Sequence, residues 1–356
     1  MEFTTNIETA DTHEIVTSEY IDWDYFKNST ILVTGATGLI GSQIILSLLL
    51  ANEIFNANIK ILAHVRNKEK AQKKFAENKT QNLEFIVQDI TEQIQISDNV
   101  DFIIHTANGT SSKSFVEQPV ETIDSIIFGT KNILEYSRQS NVKSIVYLSS
   151  MEVYGKTDYN REKPLTEKDY GYIDLQNTRN SYPEAKRLTE NLCYSYSQEY
   201  NIPVKIARLA QTIGAGVDYS DNRVFAQFAR NIVEKKDITL LTDGKTIRSY
   251  CYITDVITAI FALLVQGQNG EIYNVANIET TCSIKEMARM LCDKSKYSRL
   301  QFIKNSNNTN YYLDTVKYDL DTTKIFEDTK WIAKVSLEEM FNRLIKSFKE
   351  RICYGE

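Results

Sequence analysis

The sequence contains few cysteines and histidines, on which zinc sites, disulfide frameworks and serine-hydrolase triads depend. Its five cysteines are dispersed and form no C-x-x-C pair: Cys193, Cys251, Cys282, Cys292 and Cys353. An odd number of scattered cysteines predicts reduced thiols, which are typical of a cytosolic protein. The three histidines, His13, His64 and His105, do not have metal-ligand spacing. The sequence therefore predicts no metal site and no Ser-His-Asp hydrolase.

Long apolar runs and a surplus of basic residues are also missing. The apolar stretch at residues 44–51 is far too short to span a bilayer. The acidic residues Glu2, Glu8 and Asp11 stand where a secretory signal would be basic and then apolar. The formal net charge of −6 argues against nucleic acid as a main partner. These absences predict a cytoplasmic protein with neither a nucleic-acid nor a membrane partner.

What is present is the composition of an ordinary globular enzyme. The chain has 356 residues, of which 42% are hydrophobic and 25% charged. A chain of this length forms one large or two moderate domains and buries a sizeable core.

Short β-rich runs alternate with longer helical patterns over the first two thirds of the chain. The runs are residues 30–33, 59–65, 83–87, 101–105, 144–149 and 204–208, and the helical patterns are 41–52, 68–77, 117–140 and 182–200. This alternation predicts an α/β fold with a doubly wound parallel sheet of the Rossmann type. We expect a segment at 1–29, a dinucleotide-binding domain at 30–209, and a smaller substrate-binding lid at 210–356. Parts of the last region, such as 250–265, are expected to return to the first domain.

A glycine-rich turn follows the first predicted strand. Residues 34–41 read Thr-Gly-Ala-Thr-Gly-Leu-Ile-Gly, with Gly35, Gly38 and Gly41 spaced as G-x-x-G-x-x-G. Glycine permits a sharp turn and a close approach of the backbone to a pyrophosphate, and the helix that follows offers free N–H groups. Taken alone, the turn fits phosphate binding and plain tight packing equally well.

Two Tyr-x-x-x-Lys pairs are present, Tyr159/Lys163 and Tyr182/Lys186. The first lies just before a proline and predicts a loop. The second follows Ser181, which we expect to be the N-cap of a helix, with Glu184 closing a capping box. Spacing of four residues on a helix places Tyr182 and Lys186 on one face. A neighbouring ammonium favours the phenolate of a tyrosine, so the second pair is the catalytic candidate.

Residues 147–155, Tyr-Leu-Ser-Ser-Met-Glu-Val-Tyr-Gly, precede this pair, and here the chain resembles a known family. It is similar to the extended short-chain dehydrogenase/reductases, the NAD-dependent epimerases and dehydratases of nucleotide sugars. The resemblance also includes Asp89-Ile90 and Gly244-x-x-x-Arg248 followed by Tyr252-Ile253-x-Asp255. It implies that Ser150 hydrogen-bonds the sugar 4-hydroxyl, Tyr182 takes its proton, and Lys186 holds the cofactor ribose and tunes the tyrosine.

The resemblance implies two further groups of site residues. The cofactor group contains Gly35, Thr37, Gly38, Leu39, Ile40, Arg66, Asp89, Ile90, Ala107, Tyr182 and Lys186. The substrate group contains Lys113, Gln211, Asn222 and Arg248, and its ligand is expected to be a nucleotide-diphosphate sugar.

Glu152 divides the possible reactions. Members of the resembled family that dehydrate or decarboxylate their sugars have a carboxylate here, and a carboxylate beside C5 can remove the acidified C5 proton. We therefore expect a nucleotide-hexose 4,6-dehydratase, with a 4-epimerase or a uronate decarboxylase as alternatives. Met151 stands where one dehydratase branch has aspartate, and Gln211 where asparagine is common. A cofactor-sensing binding protein without catalysis is the remoter alternative.

The cofactor is expected to be NAD or NADP. Arg66 follows the second predicted strand, where NAD enzymes usually have an acid for the ribose hydroxyl. Because a guanidinium suits a 2′-phosphate, the sequence favours NADP. Apolar stripes on two helices, Ile123/Ile127/Leu134 and Leu188/Leu192/Tyr196, predict a homodimer through a four-helix bundle, as the resembled family forms.

Overall fold

A computed structural model describes residues 6–76, 80–107, 109, 112–303 and 315–354 of the chain. Its strands are β1 Thr30–Thr34, β2 Lys60–Val65, β3 Leu83–Val87, β4 Phe102–His105, β5 Ser144–Ser150, β6 Val204–Leu209, β7 Gln211–Ile213, β8 Ile238–Leu240, β9 Ile247–Tyr252, β10 Ile272–Val275, β11 Asn277–Ser283, β12 Leu300–Phe302 and β13 Lys317–Tyr318. Its α-helices are α1 Ile7–Val16, α2 Leu39–Phe55, α3 Lys68–Lys74, α4 Ser112–Glu117, α5 Pro119–Gln139, α6 Ser181–Tyr200, α7 Val224–Val233, α8 Ile253–Gln266, α9 Ile284–Lys294, α10 Thr323–Thr329 and α11 Leu337–Tyr354. Short 3₁₀ helices cover Trp23–Phe26, Met151–Tyr154 and Thr178–Asn180.

Seven strands form one parallel sheet in the order β10-β6-β5-β4-β1-β2-β3. The chain runs outward from β1 to β3 on one side and from β4 to β10 on the other. The strand order therefore reverses between β1 and β4, where a doubly wound sheet binds its ligand at the carboxyl ends of the strands. The predicted doubly wound Rossmann-type sheet is confirmed.

Helices cover both faces of this sheet because its central strands are apolar on both sides. On one face, Ile31 of β1 packs in a cluster with Leu48 of α2 and Ile257 of α8. On the other face, Leu32 packs in a second cluster with residues of α5 and α6. Continuous apolar strands of this kind are typical of parallel sheets that are buried on both sides.

The apolar stripes of α5 and α6 do not all point outward. Leu134 and Tyr196 are buried in the core that these helices share with the sheet, so their expected place at a dimer surface is wrong. Leu188 and Ile123 do reach the surface, at 53% and 36% exposure. Part of the helical periodicity therefore reflects packing within the chain.

The region after β6 is shared between the sheet and a smaller layer. Strands β7, β9, β11 and β13 form a four-stranded sheet, and β8 pairs with β12. Between them, α8 packs on the main sheet and β10 extends it beside β6. The division at residue 209 stays a prediction.

The segment before β1 is folded onto the rest of the chain. Asp11 of α1 is buried and accepts hydrogen bonds from Tyr252 at 2.7 Å and Arg343 at 3.1 Å. Burial raises the pKa of Asp11 to about 7 against the opposing effects of these two partners. The Trp23 indole donates to the Val16 carbonyl at 2.8 Å and closes the segment on itself. Among the described helices, none combines the length and apolar character that crossing a bilayer requires.

Candidate active site

The turn between β1 and α2 has the shape of a phosphate cradle. Gly35 has φ +63°, and a Cβ there would stand 2.8 Å from the Ala107 Cα, so only glycine fits. A Cβ on Gly41 would collide with the Gly35 carbonyl oxygen. Gly38 is the N-cap of α2 and gives its first N–H groups no side-chain partner. These free donors at a helix N-terminus fit the pyrophosphate of a dinucleotide.

A buried chain of hydrogen bonds fixes the two strand ends that border this cradle. The Thr34 hydroxyl lies 2.7 Å from His105 Nδ1, and Nε2 of the same ring lies 3.0 Å from the Thr130 hydroxyl. The backbone N–H groups of Thr106 and Ala107 also donate to the Thr34 hydroxyl, each at 3.1 Å. Burial lowers the pKa of His105 to about 3, so the ring is neutral. It connects Thr34 of β1 with Thr130 of α5 through its two hydrogen bonds.

The other expected cofactor residues lie around the same edge of the sheet. Thr37, Leu39 and Ile40 are half-buried in the turn and the first residues of α2, and Arg66 is exposed after β2. Asp89 accepts hydrogen bonds from the Thr91 N–H and hydroxyl, which lower its pKa together with nearby Arg66. Ile90 packs against Gly129 of α5. Their contacts with a cofactor stay predictions.

Tyr182 and Ser150 are brought together at the end of β5. Tyr182 is 6% exposed. Burial raises its pKa, with a smaller contribution from Glu152, whereas a hydrogen bond with the Ser150 side chain lowers it. Ser150 also caps the 3₁₀ helix Met151–Tyr154 by accepting from the Glu152 N–H at 3.2 Å. One hydroxyl therefore holds both the tyrosine and the turn that carries the carboxylate.

Lys186 lies one helical turn beyond Tyr182 and is almost fully buried. Its Nζ donates to the Leu148 carbonyl at 2.5 Å and lies 5.8 Å from the centre of the Tyr182 ring. Burial lowers the pKa of Lys186 to about 7, while Glu190 acts in the opposite direction. The structure places the pair on one helix face, as the four-residue spacing predicted. That the Lys186 ammonium favours ionisation of Tyr182 stays a prediction.

Glu152 does not stand alone beside the tyrosine. Arg179 donates through Nη2 to both carboxylate oxygens, at 3.1 and 3.0 Å. Arg179 is 4% exposed, and its Nε and Nη1 have no hydrogen-bond partner among the described residues. This buried cation was missed from the sequence, because a charged residue in a turn three positions before a helix predicts only a solvated side chain.

Phe115 of α4 completes the wall behind the tyrosine and was also missed. Its ring stacks on Tyr182 with centres 4.4 Å apart and planes at 12°. The Arg179 guanidinium lies 4.9 Å from the centre of the Phe115 ring. Tyr182 is thereby held between an aromatic plane and the Ser150 hydroxyl.

The helix that carries Tyr182 begins differently from the expectation. Its N-cap is Asn180, whose side chain makes no capping bond, so the predicted capping box of Ser181 and Glu184 is wrong. Ser181 is already helical, and its hydroxyl donates instead to the Phe115 carbonyl at 3.1 Å. The other pair is a loop, as predicted, where the Tyr159 hydroxyl donates to the Lys245 carbonyl at 2.9 Å.

The expected substrate residues occupy different surroundings. Arg248 donates to the Gln211 side chain at 3.4 Å, and its buried Nε has no partner among the described residues. Asn222 is exposed in the turn before α7. Lys113 is 73% exposed and forms an ion pair with Glu117 at 3.8 Å. Their contacts with substrate stay predictions.

Comparison with known proteins identifies the family to which this arrangement belongs. The sequence model of the NAD dependent epimerase/dehydratase family matches residues 31–276. The chain belongs to this family.

Curated relatives of this epimerase/dehydratase chain include UDP-glucuronic acid decarboxylases. UDP-glucuronic acid decarboxylase 1 of Arabidopsis thaliana is 28% identical over 335 residues, covering 92% of this chain and 71% of the plant protein. Its counterpart in Xenopus tropicalis is 25% identical, covering 90% of this chain and 72% of the frog protein.

Solved structures of epimerases and dehydratases share the fold. A UDP-glucose 4-epimerase of Thermotoga maritima, solved with UDP-glucose, superposes with a TM-score of 0.76 at 23% identity, covering 91% of this chain and 99% of that one. A dTDP-glucose 4,6-dehydratase of Bacillus anthracis, solved in complex with NAD, gives 0.73 at 19% identity, covering 92% and 98%.

Proposed function

We propose that this protein oxidises a nucleotide-diphosphate hexuronic acid at C4 and then releases its C6 carboxylate as CO₂. The observation that carries the proposal is Arg179, a buried guanidinium beside Glu152 and Tyr182, two of whose nitrogens have no hydrogen-bond partner among the described residues. Buried cations need an anionic partner, and Glu152 occupies only one side of the fork. A sugar carboxylate suits the remaining donors. The names of the curated relatives support the same choice.

Tyr182 and Ser150 handle the proton of the 4-hydroxyl in this proposal. The Tyr182 phenolate takes that proton while Ser150 holds the hydroxyl oxygen, and the adjacent Lys186 ammonium stabilises the phenolate. A bound nicotinamide would supply the reversible oxidation at C4. The turn at Gly35 and the N-terminus of α2 hold the pyrophosphate for this purpose.

Loss of CO₂ then needs little further help from the protein. A carboxylate beside a C4 ketone is a β-keto acid, so the C5–C6 bond breaks and its electron pair passes to an enolate across C4 and C5. A proton at C5 and reduction at C4, with Tyr182 returning its proton, complete a nucleotide pentose. Glu152 lies beside Tyr182 and supplies an acid–base group for the C5 proton.

Dehydration across C5 and C6 is the second candidate, and Glu152 favours it as a base for the C5 proton. Elimination also needs an acid for the departing C6 hydroxyl. Met151, in the corresponding position, is apolar and 3% exposed. Decarboxylation leaves no hydroxyl to protonate, and for this reason we rank it first. A purely cofactor-sensing role is disfavoured because Ser150, Tyr182 and Lys186 meet at one site.

The test is to incubate the purified protein with UDP-, dTDP-, CDP- and GDP-linked hexuronic acids and hexoses and to read product masses. Loss of CO₂ from a uronic acid supports the proposal, loss of water from a hexose supports dehydration, and an unchanged mass with an inverted C4 supports epimerisation. Arg179→Gln is expected to reduce decarboxylation at least tenfold. Arg343→Gln removes an arginine that pairs with Asp11, Glu14 and Glu339 between α1 and α11, away from Glu152 and Tyr182, and serves as the control.

We further propose that the cofactor is NADP, since Arg66 is exposed at the end of β2 where a 2′-phosphate would lie.

We also propose a homodimer through the outer faces of α5 and α6. Large apolar side chains stand exposed there: Val120, Ile123, Phe128, Leu188 and Tyr194, between 36% and 62%. Contiguous exposed apolar groups of this kind mark association surfaces.

A further inference from the structure

A buried ion pair lies one helical turn beyond Lys186. Glu190 and Arg208 are 2% and 0% exposed, and the Arg208 guanidinium donates to the Glu190 carboxylate through Nη2 at 2.7 Å and Nε at 3.0 Å. The Ser149 hydroxyl donates to the same carboxylate at 2.5 Å. Ser149 immediately precedes Ser150, so the pair contacts both the helix that carries Lys186 and the strand that carries Ser150.

Arg208 is secured independently of Glu190. Its Nη1 donates to the Glu167 carbonyl at 2.9 Å and its Nη2 to the Tyr170 hydroxyl at 2.6 Å. The guanidinium also lies 4.8 Å from the centre of the Tyr154 ring. With so many other contacts, the arginine keeps its place when the charge of Glu190 is removed.

Lys186 has no anionic hydrogen-bond partner of its own among the contacts described for it. Its Nζ bonds the neutral Leu148 carbonyl, and the ring of Tyr147 lies 4.6 Å away. Glu190, four residues further along the same helix, favours the protonated form of Lys186 more than Cys193 does. Arg208 donates to that same carboxylate.

We propose that Glu190 and Arg208 are positioning residues that act on the Tyr182–Lys186 couple with opposite sign. The Glu190 carboxylate stabilises the Lys186 ammonium, and the Arg208 guanidinium reduces that stabilisation. The proposal rests on the proposed function, in which this couple moves the C4 proton. A buried ion pair is often no more stable than an apolar pair of equal size, so stability alone gives little reason for one here. Its position beside a buried lysine provides a catalytic reason.

The direction of each effect follows from charge alone. Removing a negative charge lowers the pKa of every neighbouring group, and removing a positive charge raises it. Lys186, whose pKa burial has already lowered to about 7, is poised to respond within an accessible pH range. The titratable and charged groups around the couple are Glu190 and Cys193 on α6, Tyr147 on β5, His105 on β4, Glu152 and Arg179 in the flanking 3₁₀ helices, Arg223 before α7, and Arg208 on β6 through its pair with Glu190.

The test uses Glu190→Gln, Arg208→Gln and the double variant, with Glu199→Gln as a matched control exposed on the same helix. The Lys186 titration is read directly by NMR of protein labelled at the lysine ε-carbon, in the cofactor-bound enzyme, with Lys186→Arg identifying the signal. The pKa is expected to fall by roughly one unit in Glu190→Gln and to rise by a similar amount in Arg208→Gln. The double variant, which leaves no net charge, is expected to return close to the wild-type value.

The pH profile of kcat/KM is expected to shift to lower pH in Glu190→Gln and to higher pH in Arg208→Gln. If the pair were purely structural, both variants would have a lower rate, and their pH profiles would not shift in opposite directions. Shifts of the same sign in the two single variants, or an unmoved lysine signal, overturn the proposal. If either single variant fails to fold, the double variant and the control still test the proposal. A Lys186 pKa that differs by a full unit between the double variant and the wild type contradicts charge compensation. Failure of the wild type to convert any nucleotide sugar counts against the proposed function alone, since the NMR titration needs no substrate.

Discussion

At the scale of single residues, the site depends on a tyrosine whose ionisation is opposed by burial and aided by polar neighbours. The Ser150 hydrogen bond and the charge of Arg179 lower the pKa of Tyr182 against the effect of burial, and Phe115 stacks on its ring. The neighbouring carboxylate of Glu152 raises the tyrosine pKa, and Arg179 pairs with that carboxylate. Arg179 therefore lowers the tyrosine pKa both by its own charge and by pairing with the carboxylate that raises it.

Tyr182→Phe is expected to lower turnover of a nucleotide sugar by about 100-fold or more, because positioned proton transfer contributes a factor of this size. The ring and its stacking on Phe115 remain, so the variant keeps its fold. Tyr159→Phe, in the loop copy of the same motif, is the matched control and should retain full activity. Equal losses in both variants would contradict the choice between the two pairs. The measurement is product formation, together with nicotinamide binding.

Arg66→Asp is expected to weaken NADP binding at least tenfold and to spare or improve NAD binding, because it replaces a phosphate partner with a hydroxyl partner. Calorimetric titration with both cofactors measures this. Lys349→Asp on α11 makes the same change of charge at an exposed position and controls for the overall field. If the wild type prefers NAD, the inference from Arg66 is wrong.

At the scale of elements, the turn between β1 and α2 does not tolerate larger residues at Gly35 and Gly41. Its glycines are required by close contacts with Ala107 and with the carbonyl of Gly35 itself. The strand end beyond it is fixed by Thr34 and His105. The cradle is therefore rigid before any phosphate arrives.

Gly41→Ala is expected to destabilise the protein by roughly 1–3 kcal/mol, the usual cost of forcing an extra carbon into a packed site. Cofactor affinity should fall with it, because the turn must open to relieve the collision. Gly109→Ala is the control, since a Cβ there meets no atom of the described residues within 4 Å. Thermal unfolding with and without cofactor measures both effects, and a Gly41 variant as stable as the control would refute the packing argument.

The sequence was informative where local rules decide the structure. The strand at Leu83–Val87 was predicted with its observed bounds, because its apolar run is bounded by turn residues. The strand β10 was missed, since its four residues are too few to show a periodicity. The capping box at Ser181 failed because a tertiary partner, the Phe115 carbonyl, takes the hydroxyl instead. Arg179, Glu190 and Arg208 gain their meaning from burial, which no local pattern reveals.

At the scale of the whole molecule, the exposed apolar side chains of α5 and α6 lead to a prediction about assembly. Phe128→Glu together with Leu188→Glu is expected to convert a dimer to a monomer, because charges would be buried without partners at the proposed interface. Sedimentation velocity measures the mass. Ile332→Glu alters an apolar side chain of similar exposure elsewhere and should leave the assembly unchanged. A wild-type monomer would remove the basis for the dimer proposal.

The contacts of α1 have a consequence for the order in which the molecule is completed. Asp11 finds its partners in Tyr252 and Arg343, which are 241 and 332 residues further along the chain. The hydrogen bond that ties α1 to α2, from the Gln43 side chain to the Thr12 hydroxyl, is available as soon as both helices have been synthesised. The Asp11 carboxylate must wait for α11 before it gains its guanidinium partner, so the ion pair is completed late in synthesis.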